Sequence, residues 1–294
     1  MTPVRVTPLI DPDVTPASHS LVWLASGPGG VPVGSAFLRL FTRAGQRQLA
    51  LLQLNLQPGE RGTDTGFLLL DPALTAARGH CRSRVITHVE ADSPGERFLA
   101  ARGFRRVLTL ISFRLALADA DIAALSAAVD EPHPGYRLAS WDGMVPDELA
   151  ETFVASRYAM NDMPAGGIDF GVVPWDRQRI QAAVTAIEKQ GDVLHTVVAV
   201  SAADGAIAGF TELAIPADGT GEAQSCGTAV LPGHRGHGLS RWMIAATMRH
   251  ACERYPLLEG LRRDTADSNP YMTRVIDSLG YRPVHTTYEY QLDL

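Results

Sequence analysis

The stretch Arg235-Gly236-His237-Gly238-Leu239 has residue types that could hold a charged ligand. Before it, Gly227-Thr228-Ala229-Val230-Leu231 reads as a strand. After it, Leu239, Trp242, Met243 and Ala246 fall at i, i+3, i+4 and i+7, the stripe of an amphipathic helix. A helix start exposes unpaired N–H groups and the positive end of the helix dipole. The two glycines let the backbone take positive φ and come close to a ligand. Together these features describe an anion cradle suited to a pyrophosphate. The same residues also suit a plain tight connection between strand and helix. His234, His237 and His250 lack a nearby carboxylate cluster, so the loop histidines are expected to flank phosphates and no metal is expected.

Several other chemistries are excluded. Lys189 is the sole lysine, and no G-x-x-x-x-G-K-[ST] stretch exists, which removes P-loop chemistry. H-E-x-x-H, G-x-S-x-G and G-x-G-x-x-G are absent too. Cys81, Cys226 and Cys252 are odd in number and far apart, which fits a reduced, cytoplasmic protein without structural disulfides.

The elements that must position the loop occur twice. Pro58-Gly59-Glu60-Arg61-Gly62-Thr63-Asp64 resembles Pro232-Gly233-His234-Arg235-Gly236-His237-Gly238, 174 residues later. A second pair of landmarks keeps nearly the same spacing. Ala91-Asp92-Ser93-Pro94 leads to Gly103-Phe104-Arg105, and Ala266-Asp267-Ser268-Asn269-Pro270 leads to Gly280-Tyr281-Arg282. Two landmarks in register point to a tandem duplication.

Each copy reads as strand (47–56 in the first), loop, helix, strand (84–89 or 260–265), short helix and β-rich tail (107–115 or 286–292). In the second copy Asn269 caps the short helix, Pro270 opens it and Gly280 ends it. In the first, Ser93 and Glu96 predict a capping box. The second copy also predicts helices over 146–158 and 175–189 before its first strands, where the first copy has about ten residues. Residues 119–134 read as a short helix and the Pro-broken linker Glu131-Pro132-His133-Pro134. The expected division is therefore 1–118, a linker over 119–134, and 135–294.

Val230, R-G-x-G-L, an amphipathic helix, a strand and N-x-x-M…L-G-Y together resemble the GNAT superfamily of acyl-CoA-dependent N-acyltransferases. The resemblance covers 136–294 in full and about 20–115 in degenerate form. Tyr158-Ala159-Met160-Asn161-Asp162-Met163-Pro164, Gly209-Phe210-Thr211-Glu212-Leu213 and His234-Arg235-Gly236-His237 look like an actinobacterial branch of acetyltransferases. Mycothiol synthase, another tandem GNAT protein, is a more distant likeness. The resemblance implies an α/β fold with a mixed sheet, in two tandem GNAT folds, the N-terminal one truncated and non-catalytic. It implies acetyl-CoA as acyl donor. The main chain of Arg235, Gly236, His237, Gly238, Leu239 and Ser240 would hold the pyrophosphate. Val230 and Leu231 would pair with the pantetheine arm, and Asn269 would reach that arm. In the first copy Asp64 replaces Gly238, and a carboxylate there repels a pyrophosphate.

Acyl transfer to an amine needs a neutral amine and a proton for the departing thiolate. The family's usual base position falls at or near Gln224, and its usual acid is here Ile276. Glu212 and Glu222 are the candidate bases, though Glu222 also fits a solvated hairpin charge. Tyr271 and Tyr158 are substitute acids. Asp162 could receive a cationic amine or make an Asx turn.

The chain has 294 residues, 46% of them hydrophobic, and a formal charge of −6. This length suggests two domains at about 150 residues each. Nucleic acid is a poor partner for an acidic chain. Met1-Thr2-Pro3-Val4-Arg5 carries no apolar leader, and no run approaches the ~18 apolar residues of a membrane span. The expected activity is N-acetylation of a small-molecule primary amine by a monomer or homodimer. The rivals are mycothiol-synthase-like acetylation of a cysteinyl amine, and a non-catalytic CoA-binding protein.

Overall fold

In chain order the elements are β1 Arg5–Leu9, β2 Ser18–Ser26, β3 Pro32–Phe41, β4 Leu49–Leu56, α1 Thr65–Gly79, β5 Arg84–Glu90, α2 Pro94–Ala101, β6 Arg105–Ala116, α3 Ile122–Asp130, β7 Tyr136–Asp142, α4 Ala150–Ser156, α5 Arg177–Lys189, β8 Asp192–Ser201, β9 Ile207–Pro216, β10 Gly221–Val230, α6 Leu239–Arg254, β11 Leu258–Ala266, α7 Pro270–Ser278 and β12 Arg282–Asp293. The computed structural model describes residues 4–9, 18–42, 45–164, 166–167 and 174–294. Met1, Thr2 and Pro3 lie outside that set, as do 10–17, which make up most of the short segment that stands in place of two helices.

The described residues form two compact units. The first takes those up to 110, with 166–167 and 285–294; the second takes 111–164 and 174–284. In the first unit the strand order is β1-β2-β3-β4-β5-β12, followed by the start of β6. The pairs β1–β2, β2–β3, β3–β4 and β5–β12 are antiparallel, and β4–β5 is parallel. Leu69, Leu70, Ala73 and Ala77 of α1 pack on Leu38, Leu40 and Leu52 of the sheet.

In the second unit the end of β6 is followed by β11-β10-β9-β8-β7. Helices α3, α6 and α7 cover one cluster, with Ile244, Met248 and Ile276 inside it; α4 and α5 cover another, with Phe153, Ile180 and Val184. Because β8 and β9 are covered in this way, nearly every side chain along them is buried.

These units do not follow the division at 119–134. Helix α3 is capped by Asp121, which accepts from the Ala124 N–H at 2.9 Å, and it buries Leu125, Ala128 and Val129 in the second unit's core. Strand β12, the tail of the second copy, completes the first unit's sheet, running antiparallel to β5 from Thr287–Glu90 to Asp293–Arg84. A β tail carries its own hydrogen-bonding edges but nothing local that names its partner. No helix among the described residues is long and apolar enough to cross a membrane.

Candidate active site

Strand β10 delivers the chain to the glycine loop. Pro232–His234 makes one 3₁₀ turn, and Gly236 and Gly238 follow at φ +86° and +73°. Gly238 is the N-cap of α6 in the left-handed region, with no side chain to close the helix end. None of the backbone N–H groups of Gly236, His237, Gly238, Leu239 and Ser240 finds a carbonyl among the described residues. Leu239 and Ser240 are themselves buried. This is the arrangement an anionic group requires.

The surroundings of the loop are basic and aromatic. His234 Nδ1 lies 3.0 Å from the Tyr136 hydroxyl, and the His237 ring lies beside the same tyrosine. His133 stacks on Trp242 with centroids 4.1 Å apart. Pro132, His133, Tyr136, His237, Gly238 and Arg241 line a hollow of about 390 Å³ next to the loop. In the sequence His133 reads only as linker; its place over the loop comes from α3 packing against α6.

Below the loop the sheet forks. Strands β10 and β11 run parallel and pair only from Gly221–Leu258 to Gln224–Arg262. β10 then continues to Val230 with β9 on one side, while β11 continues to Ala266. The inner edge of β10 from Ser225 onward is therefore open. A register shift between Ser225 and Gly227 marks the point of departure, and Met160 packs against Gly227. Arg263 spans the gap: its guanidinium donates to Thr228 Oγ at 2.8 Å, and Thr228 meets Thr211 at 2.6 Å. Arg263 is 4% exposed, its Nε is unpartnered, and no carboxylate pairs with it among the described residues. Burial pushes the Tyr281 phenol up, while neighbouring Arg263 pulls it down. Two adjacent arginines in an apolar strand, Arg262-Arg263, were the available sequence signal.

The expected acid–base residues have other employment. Glu212, opposite Gly227 in register, is buried and bound through both oxygens to Arg157, with Nη1 at 2.8 Å from Oε2. The Arg157 guanidinium lies 4.5 Å from the Phe210 ring centroid, 4.7 Å from that of Phe153 and 5.0 Å from that of Trp175. One guanidinium thus engages both oxygens of Glu212. Glu222 pairs with Arg114 and, at 3.6 Å, with Arg262. Asp162 pairs with Arg235 at 2.8 Å, and Arg235 Nε donates to the Val230 carbonyl. Arg235 thereby ties the turn at 157–162 to the end of β10. Asn269 accepts from the Met272 N–H at 3.1 Å and so caps α7. Ile276 is fully buried core, whereas Tyr158 and Tyr271 are exposed.

His250 joins neither loop histidine. It stacks on His195 with centroids 3.7 Å apart and planes 2° apart, and His195 Nδ1 meets Asp142 at 2.7 Å. These three could supply metal ligands. No point lies in the plane of both stacked rings, so in this arrangement they cannot share an ion in the ordinary in-plane manner.

Residues 151–281 match the acetyltransferase (GNAT) family. The segment that carries the site is thus an acetyltransferase (GNAT) domain by this match. The protein is an acyl-CoA-dependent N-acyltransferase by class, and the family's general donor is acetyl-CoA. Among solved structures the chain is similar to a tandem GNAT protein from the clavulanic acid biosynthesis pathway, at 24% identity and TM-score 0.76, covering 95% of this chain and 84% of that one. A GCN5-related N-acetyltransferase from Sphaerobacter thermophilus matches at 15% identity and TM-score 0.65, covering 92% and 80%. A glucosamine N-acetyltransferase region of a fungal multi-domain GH3 β-N-acetylglucosaminidase matches at 15% and 0.66, covering 94% of this chain and 33% of that one. These likenesses show the fold. A search of curated proteins returned no match.

Proposed function

We propose that the second unit of this GNAT protein transfers an acetyl or short acyl group from acyl-CoA to a primary amine of a small molecule. The observation that carries this reading is the open fork of β10 and β11, headed by the Gly236–Gly238 loop with its unpaired N–H groups. The diphosphate would rest on the loop and the pantetheine arm would add to the free edge of β10. That places the thioester near Gly227, with α4 and α5 on the acceptor side.

Neither Glu212 nor Glu222 is assigned the proton, because both are held by arginines. Water takes the proton from the amine, and proximity in the fork supplies the rate. Arg263, a cation across the same fork without a carboxylate partner among the described residues, meets the charge of the departing thiolate. A small amine acceptor is supported by one structural relative, a glucosamine N-acetyltransferase region. The free cysteines and acidic charge support a cytoplasmic protein that does not hold nucleic acid.

The test is turnover of acetyl-CoA against a panel of small primary amines, including a cysteinyl amine, with Gly238→Asp as control. Acetylation of a small amine that the variant abolishes supports the reading. Acetyl-CoA binding without turnover on any amine would leave a non-catalytic CoA-binding protein.

A further inference from the structure

The linker after α3 sets an imidazole over the glycine loop of the second unit. Helix α3 shares a core cluster with α6, through Leu125, Ala128 and Val129 against Ile244 and Met248. Trp242 Nε1 of α6 donates to the Val129 carbonyl at 2.8 Å. The same indole stacks on the His133 ring, with centroids 4.1 Å and planes 9° apart. His133 Nδ1 lies 2.8 Å from the Glu131 carbonyl oxygen. The ring is thus held by its face and by one edge.

That second contact fixes where the ring's proton sits. A carbonyl oxygen only accepts, so Nδ1 must be the N–H. In the neutral ring Nε2 is then a bare lone pair. Nε2 is also the heavy atom nearest to where a side chain on Gly238 would begin, at 3.4 Å. It therefore faces the head of α6, where the loop's unpaired N–H groups gather. No donor meets it among the described residues. A lone pair in that place repels an anion lying on the loop, whereas a protonated Nε2 offers it a charge-assisted hydrogen bond.

The other charged and titratable groups come from every element packed there. The linker gives Glu131, α6 gives Arg241, the loop gives His237, and β7 gives Tyr136, whose hydroxyl is 3.0 Å from His234 Nδ1. Arg241 and Glu131 form a loose pair at 4.0 Å, and Arg249 of α6 meets Asp130 at the end of α3 at 3.3 Å. These fixed charges offset each other in pairs. An arriving diphosphate is not offset, and its charge draws a proton to the nearest basic nitrogen.

We propose that His133 is a proton-coupled ligand of the diphosphate: an acyl-CoA settling on the loop drives a proton from solvent onto Nε2, which then donates to a phosphate oxygen. The Nδ1–H stays on the Glu131 carbonyl throughout, and no protein group has to give up a proton. The proposal rests on reading the loop as the acyl-CoA diphosphate site. By linkage, a ligand that favours the protonated ring binds more tightly as pH falls and more weakly as pH rises. Histidine ordinarily changes charge between pH 5 and 8, so the coupling falls in the physiological range.

The experiment is titration calorimetry of the full chain with acetyl-CoA at pH 7.5, in two buffers of low and high ionisation enthalpy. The difference in heat counts the protons exchanged. The wild type should take up about one third to one proton per acetyl-CoA, because a histidine is mostly neutral there before binding. Its Kd should rise about three- to ten-fold from pH 6.5 to pH 8.5. His133→Phe keeps an aromatic ring against Trp242 but cannot ionise, and should lose most of the uptake and of the pH dependence. His133→Gln, which keeps a polar group, should do the same, and it decides the matter if the Phe variant folds poorly. Dephospho-CoA keeps the diphosphate but lacks the 3′-phosphate, which itself titrates near pH ~6; it should show the same uptake. Uptake that disappears with dephospho-CoA, uptake that survives in both His133 variants, or none in the wild type overturns the proposal. Acetyl-CoA affinity that Gly238→Asp leaves intact sinks the reading of the loop instead.

Discussion

The loops at 58–66 and 232–240 share a frame and differ in charge. Each follows a strand with a Pro-Gly 3₁₀ turn and an arginine, then a glycine at positive φ: +89° at Gly62 and +86° at Gly236. Two residues later they part. Gly238 is left-handed at φ +73°, whereas Asp64 is right-handed at φ −68°. His234 and His237 in the second loop stand where Glu60 and Thr63 stand in the first. A strand fork survives in both units, since β4 pairs with β5 only from Leu49–Arg84 to Leu52–Thr87, so the backbone architecture tolerates opposite electrostatics at its head. The comparison extends to the neighbouring rung, where Gly227 faces Glu212 in the second unit and Gln53 faces Phe37 in the first. One unit holds a buried ion pair where the other uses a phenyl ring.

The sharpest way to probe that rung is to break the ion pair. Glu212→Gln leaves the Arg157 charge buried without its carboxylate, and loss of one partner typically costs about 3–5 kcal/mol. Chemical denaturation should show most of that loss. Its kcat/KM should fall by the same factor at pH 7 and pH 9, because the carboxylate positions and does not carry the proton. A deficit that shrinks at pH 9 would restore Glu212 as the base.

Next in size is Gly238→Asp, which gives the second loop the first loop's carboxylate. Acetyl-CoA affinity should drop at least ten-fold, roughly 1.4 kcal/mol, in a direct binding assay. An unchanged affinity would separate the loop from the cofactor and erase the contrast drawn between the two units.

The two N-caps of the short helices make a smaller comparison. Asn269 bonds the Met272 N–H, so Asn269→Ala should cost about 1 kcal/mol in thermal or chemical unfolding. The Ser93 hydroxyl has no partner among the described residues, so Ser93→Ala should leave stability within about 0.5 kcal/mol. Equal losses would show that the two ends are equivalent after all. The smallest effect belongs to Asp64→Gly with Thr63→His, which moves the first loop toward the second. Turnover should stay at the wild-type rate, as followed by release of free CoA, on the reading that the second unit alone carries the reaction. A rise in rate would give that unit a catalytic share.

Much of the frame is legible in the sequence. The stripe Leu239, Trp242, Met243 marks α6, and Asn269-Pro270 with Gly280 bounds α7. The capping box at Ser93 half forms: Glu96 reaches the Asp92 N–H, but the Ser93 hydroxyl caps nothing. Helix 146–158 is shorter than its pattern suggests, as α4 between two 3₁₀ turns. Side-chain employment is the least legible. F-T-E-L tells which residues share a face of β9, yet Arg157 lies 55 positions away from Glu212 and nothing local announces it.

The duplicated order of elements, the glycine loop with its helix, and the charge difference between the copies are all written along the chain. Those properties depend on residues near one another in sequence, where periodicity, capping and φ preference act directly. Long-range packing chose the rest. It made β12 complete the first unit, let α3 bring His133 over the second loop, and gave Glu212, Glu222 and Asp162 to arginines. It also opened both forks and set Arg263 across one of them. Strand edges pair, and buried charges find partners, with whatever packing brings within reach, and that choice is made over distances the local pattern does not encode.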